Sequence, residues 1–144
     1  MVNYAQLLMQ ARKAMRYSYA PYSRFRVGAA LLTEEGEVVT GCNVENPSYG
    51  LSNCAERTAV FKAVSEGRRR FRAIAVVSSR ANPVYPCGAC RQVLREFNPR
   101  LKVIVAGPRG RPITTSIDKL LPFSFGPEKL CCKGFVAPSH SPRI

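Results

Sequence analysis

Histidine is almost absent from this chain. Its 144 residues include one, His140, near the C-terminus, and no tryptophan, so a metal site that needs imidazole has a single, remote candidate. Long apolar runs are missing as well: no stretch approaches the roughly 18 consecutive apolar residues of a membrane-crossing helix. The N-terminus shows no basic segment leading into an apolar run and a small-residue cleavage site. Together these absences point to a cytoplasmic protein. Acidic residues are few, 9 against 22 Lys and Arg, for a formal charge of +13.

Cysteine is the residue present in useful number. Cys42, Cys54, Cys87, Cys90, Cys131 and Cys132 are too thinly spread for a secreted disulfide scaffold, and a reducing compartment favours metal-binding or catalytic roles. The length suits one domain with its own hydrophobic core. We assign it to residues 1–130, with the proline-, glycine- and serine-containing residues 131–144 as a poorly ordered tail. No internal repeat is visible. A basic balance is a footprint of nucleic-acid binders, and the densest run is Arg68-Arg69-Arg70 followed by Arg72. That run follows a helical stretch, where positive side chains suit the helix C-terminus, so a solvated loop accounts for it. Nucleic acid is therefore not expected as a partner.

After the N-cap residue Asn3, the side chains Tyr4, Leu7, Leu8, Ala11, Ala14 and Met15 recur at helical spacing and predict an amphipathic helix ending near Tyr19. Residues 25–32 and 37–44 read as a hairpin about Glu34-Glu35-Gly36, with Cys42 buried in its second strand. An irregular loop leads to a helix from Cys54 to about Glu66, striped with Ala55, Ala59, Val60 and Ala63 and stopped by Gly67. Residues 71–79 are apolar enough for a central strand covered on both faces. A helix over 87–97, a strand over 101–106, a short strand over 111–115 and a short helix capped by Ser116 follow. A helix between two apolar strands implies a parallel crossover.

Two pieces carry the chemistry: Cys54-Ala55-Glu56-Arg57 and Pro86-Cys87-Gly88-Ala89-Cys90. Cys87 and Cys90, three positions apart, share one face of a helical turn and can bind one metal. A redox dithiol has the same spacing but leaves Cys54 and Glu56 without a purpose. A structural zinc site wants a fourth Cys or His. Three cysteine ligands with the fourth position open to water make a catalytic zinc site, provided both pieces open helices and meet. Helix N-termini favour thiolates, because unpaired N–H groups and the dipole stabilise negative charge there. Three thiolates on Zn2+ carry one net negative charge, which Arg57, on the same helical side as Cys54, can offset. Glu56 is only two residues from Cys54 and does not face it, so it is no ligand; a carboxylate beside the metal can carry protons instead.

With these motifs in hand, CAERTA, PCGACRQ and NVEN resemble the homotetrameric, three-cysteine class of cytidine deaminases that act on free nucleosides. YSRFRVGAALL and LLPFSF are similar to further segments of that family, and the likeness covers residues 4 to 128. The resemblance implies an α/β fold, a three-layer α/β/α sandwich with a mixed five-stranded sheet, and a homotetramer. It implies Zn2+ on Cys54, Cys87 and Cys90, hydroxide on the zinc adding to C4 of cytidine or deoxycytidine, and Glu56 as proton shuttle. The products would be uridine or deoxyuridine and ammonia, a reaction of pyrimidine salvage. Asn43, Val44 and Glu45 match the ribose-binding segment and Ala55 a backbone contact to the base. Phe25 would pack on the nucleoside, and Phe125 would reach in from a neighbouring subunit. Tyr85 departs from the usual small hydroxyl residue before PCGAC, and Pro47 from the usual alanine after NVEN. Three other readings stay open: deamination of an aminopyrimidine antibiotic such as blasticidin S, editing of a polynucleotide, and a non-enzymatic module that is either a structural zinc unit or a nucleic-acid binder.

Overall fold

The computed structural model describes residues 3–109 and 111–130; the expected tail, with Cys131, Cys132 and His140, lies outside them. Helix α1 runs Tyr4–Met15, and Asn3 closes its start with a capping box, accepting from the Gln6 amide while the Gln6 side chain accepts from its own. The helix stops short of the expected Tyr19 because the chain turns at residues 16–18 and enters an isolated bridge between Tyr19 and Val44. The hairpin follows as β1, Val27–Thr33, and β2, Val38–Cys42; then come α2, Ala55–Ser65, and β3, Phe71–Ser78. Helix α3, Gly88–Phe97, strands β4, Lys102–Ala106, and β5, Ile113–Ser116, and the one-turn α4, Ile117–Leu120, complete the described elements. Cys42 is half-buried rather than enclosed, since it closes the edge strand β2.

The sheet order is β2-β1-β3-β4-β5, antiparallel except for the parallel pair β3 and β4. β3 is therefore the central strand, and α3 is the crossover between it and β4. Alternate residues of each strand feed two cores. Ala29, Leu31, Ile74, Val76, Val103 and Val105 pack against α2 and α3, whereas Ala30, Leu32, Ala73, Ala75, Val77 and Ile104 pack against Leu7, Leu8 and Ala11 of α1. This two-sided burial makes the three-layer α/β/α sandwich. A register shift at Leu32/Thr33 lets Phe71 join the α3 side, where its ring meets Phe97 edge-on at 5.3 Å. Among the described residues no helix is long and apolar enough to cross a membrane.

Small residues set how closely α2 lies on the sheet. A Cβ on Gly41 would sit 2.5 Å from the Ala59 nitrogen and 2.6 Å from the Ala55 carbonyl oxygen, so β2 and the helix backbone are in direct contact. Gly41→Ala should therefore cost about 1–3 kcal/mol of stability. Gly50→Ala, with nothing within 4 Å of the added carbon, should stay within about 0.5 kcal/mol. Urea midpoints at one fixed protein concentration separate the two.

Candidate metal centre and pocket

Three strand ends meet at one edge of the sheet. Val27 at the start of β1 pairs with Ser78 at the end of β3, and Gly28 pairs with Cys42 at the end of β2. Phe25, Asn43 and the loop that leads to Cys87 all depart from this edge. Both cysteine motifs then start helices, as expected: Cys54 is the N-cap residue of α2, Cys87 that of α3, and neither side chain caps its helix. The sulfurs are thus left free for another partner at two helix N-termini.

The Sγ atoms of Cys54, Cys87 and Cys90 lie within 4.8 Å of one another, and the Cys54 to Cys87 separation is 3.9 Å. Two sulfurs each about 2.3 Å from one tetrahedral zinc ion stand about 3.8 Å apart, so this triad fits the ion. An all-thiol donor set also suits zinc rather than a hard cation. Arg57 Nη2 donates to Cys54 Sγ at 3.3 Å, as its position on the first turn of α2 predicts, and its Nε is buried with no hydrogen-bond partner among the described residues. Hydrogen bonding from Cys90, reinforced by Arg57, lowers the Cys54 thiol to about 5 against the opposing effect of burial. Its partner Cys90 is pushed upward by that same hydrogen bond and by burial, so Cys54 loses its proton before Cys90 does.

Glu56 is 5% exposed and stands outside the thiol triad. Burial raises its carboxyl to about 7, with the Cys54 charge adding to the rise. It faces a cavity of about 430 Å³ whose wall also includes Phe25, Asn43, Glu45, Ala55 and Cys87. Cys90 is buried behind that wall.

The structure brings most of the sequence-derived candidates to this cavity, but not all. Asn43 holds the approach to β1: its Oδ1 accepts from the Val27 amide at 2.8 Å and its Nδ2 donates to the Phe25 carbonyl at 2.7 Å. One hydrogen on Nδ2 and one lone pair on Oδ1 remain for a ligand. Glu45 accepts from the amides of Tyr22 and Ser23 at 3.0 and 3.2 Å, and from the Ser23 hydroxyl. These bonds, the Ser23 hydroxyl first, hold its carboxyl below the usual range. Val44 does not line the cavity; its N–H and C=O both pair with Asn53. Phe125 is 57% exposed and away from the cavity of its own chain. Tyr85 does line it, and Pro47 does not. Sequence reasoning missed Ser23 and Asn53, which also line the wall. The turn-forming Pro21-Tyr22-Ser23 marked a break in structure, but its role in aiming a glutamate 22 positions later was not visible.

The family model for the cytidine and deoxycytidylate deaminase zinc-binding region matches residues 1–106. A cytidine deaminase of Sporosarcina psychrophila is 51% identical over 126 residues, covering 87% of this chain and 93% of its own length. One from Halalkalibacterium halodurans is 52% identical over 125 residues, covering 86% of this chain and 95% of its own. The crystal structure of cytidine deaminase from Burkholderia pseudomallei superposes with a TM-score of 0.84 at 50% identity, covering 86% of this chain and 100% of that one.

If the three thiols are the ligands, single Cys54→Ala, Cys87→Ala and Cys90→Ala proteins should purify with less than about a tenth of the zinc of the parent, since three donors are needed for retention. Cys42→Ala should keep about one zinc per chain, as measured by elemental analysis.

Proposed function

The chain belongs to the cytidine and deoxycytidylate deaminase family and is a zinc-dependent enzyme acting on cytidine, and from that premise we propose how its residues divide the work. Residues 1–130 are the catalytic unit, it accepts deoxycytidine as well as cytidine, and it serves pyrimidine salvage in the cytoplasm. The observation that carries this reading is a buried carboxylate, Glu56, beside three convergent thiols and within one cavity wall. In the net reaction the C4–N4 bond breaks, a C4–O bond forms, and cytidine plus water become uridine plus ammonia. Cys54, Cys87 and Cys90 would hold the zinc, which would supply Lewis-acid activation of water near neutral pH.

Glu56 handles the protons. Its carboxylate accepts a proton from the attacking water, delivers it to ring N3, and passes the next one to the departing amino group, always within the dry wall that α2 provides. Arg57 offsets the surplus negative charge of three thiolates through its bond to Cys54. Asn43 and Glu45 take the ribose hydroxyls, and Glu45 is well prepared because Tyr22 and Ser23 already orient an ionised carboxylate. A pocket built on such groups favours the sugar hydroxyls that cytidine and deoxycytidine share and rejects analogues without them, since its polar atoms would be left unpaired. The phenyl ring of Phe25 packs on the nucleoside, and the backbone of Ala55 contacts the base.

The working form in this reading is a homotetramer whose sites are completed by Phe125 of a neighbour. Gln92 Nε2 donates to the Phe125 carbonyl at 2.9 Å and Arg95 Nε to the Ser124 hydroxyl at 2.9 Å, so α3 grips this segment while its phenyl rings stay outside the fold. Phe123, at φ 53°, is fully exposed. Exposed aromatic rings of this kind can carry much of an interface's binding energy once a partner buries them.

The reading is tested by following the absorbance change as cytidine, deoxycytidine and blasticidin S are offered side by side. Zinc-loaded protein that turns over neither nucleoside would end it. Glu56→Gln should keep its zinc and lose about 10²–10⁴ in kcat, whereas Glu45→Gln should mainly raise KM. Phe125→Ala should lower the mass seen by sedimentation and raise KM together; loss of neither would refute the shared site.

A further inference from the structure

Two of the four arginines in the run at residues 68–72, Arg68 and Arg70, are ion-paired in the fold. Arg68 pairs with Glu37 and, at 2.7 Å, with Glu66, and Arg70 pairs with Glu35 at 2.5 Å. More uncompensated charge lies elsewhere. No acidic residue occurs in residues 1–33 or 97–117, segments that hold Arg12, Lys13 and Arg16 and then Arg100, Lys102 and Arg109 among others.

The fold joins these two acid-free segments. Lys102 Nζ lies 5.8 Å from the Tyr4 ring centroid at one end of α1, and Arg12 Nη2 donates to the Gly107 carbonyl at 3.3 Å near the other, beside the loop that carries Arg109. Arg12, Lys13, Arg16, Lys102 and Arg109 are all exposed. Arg12 on α1 and Arg16, four residues on at its C-cap, repel each other, and no acidic residue on the helix relieves them. Immediately after Arg16, Tyr17 is 81% exposed. This layer covers the sheet face opposite α2 and α3, so it lies behind the cavity.

We propose that this α1 face binds single-stranded nucleic acid, with backbone phosphates on Arg12, Lys13, Arg16, Lys102 and Arg109 and a base stacked on Tyr17. Guanidinium groups match phosphate geometry, and an exposed aromatic ring beside cations suits stacking of an unpaired base. A bilayer fits less well, because Met9 is the one large aliphatic side chain that α1 exposes and offers little to insert.

Fluorescence anisotropy of the full-length, zinc-loaded protein with a labelled single-stranded RNA of mixed sequence provides the test. Five phosphate contacts predict a slope of about −3.5 in log affinity against log salt, or about a hundredfold loss between roughly 50 and 200 mM. Lys13→Glu with Arg16→Glu should reduce that slope by about 1.4 and weaken binding, leaving cytidine turnover unchanged. Lys62→Glu with Lys119→Glu alters the net charge equally and should leave RNA affinity nearly as it was. Tyr17→Ala should weaken binding about fivefold or more at an unchanged slope. The proposal is overturned if both charge-reversal pairs act alike, if phosphatidylserine vesicles are bound in preference to RNA, or if RNA competes with cytidine. An unaltered affinity in Tyr17→Ala would overturn the stacked base.

Discussion

Everything at the reactive end of this molecule depends on two helix N-termini being held together on one face of a sheet. Each contributes cysteine thiols to a cluster 4.8 Å across, and each supplies the unpaired N–H groups and positive dipole end that make thiolates tolerable there. Concentrating three sulfurs without such support would leave mutually repelling charges. Arg57 completes the arrangement from the first turn of α2, three residues from the sulfur it contacts. The bottom of the pocket is thus an electrostatic assembly before it is a catalytic one.

The sheet holds this assembly in place through contacts that contain very little side chain. Gly41 lets the backbone of α2 rest on β2, with Ala55 and Ala59 completely buried at the contact. A helix start fixed in this way cannot drift, and Glu56 on its first turn keeps its relation to the thiols. On the other motif, Arg91 ties the start of α3 to the end of α4, donating to the Pro86 carbonyl at 2.6 Å and to the Leu120 carbonyl at 2.8 Å. Apolar packing sets the distance between layers, and a few directional bonds set the positions of the loops.

Polar side chains around the cavity already serve structure, and in the proposed reading they serve recognition as well. Asn43 closes the junction between Phe25 and Val27, yet retains hydrogen-bonding capacity toward the cavity. Glu45 is oriented by the turn at Tyr22 and Ser23 before any substrate arrives. Preorganisation of this sort avoids ordering side chains at the moment of binding, which otherwise costs affinity. It also explains why NVEN belongs so near a turn: the strand must end for its last side chains to look back over the sheet edge.

Much of the architecture was legible in the residues alone, because periodicity is local. The five strands, the two cysteine-started helices and the central place of β3 follow from alternation, capping and apolar runs, and the placement of Arg57 against Cys54 and of Glu56 outside the thiol cluster follows from their spacing along one helix. Local patterns could not show that Ser23 aims Glu45, that Val44 is engaged by Asn53 instead of facing the cavity, or that α1 ends at Met15. Nor could they separate the ion-paired arginines at 68 and 70 from those on and just after α1, since Glu37 and Glu35, which meet them across the fold, lie 31 and 35 positions away in sequence. Spacing along one element determines which side chains share a face. Only tertiary structure decides what stands opposite that face, because contacts between distant segments are set by how the layers pack.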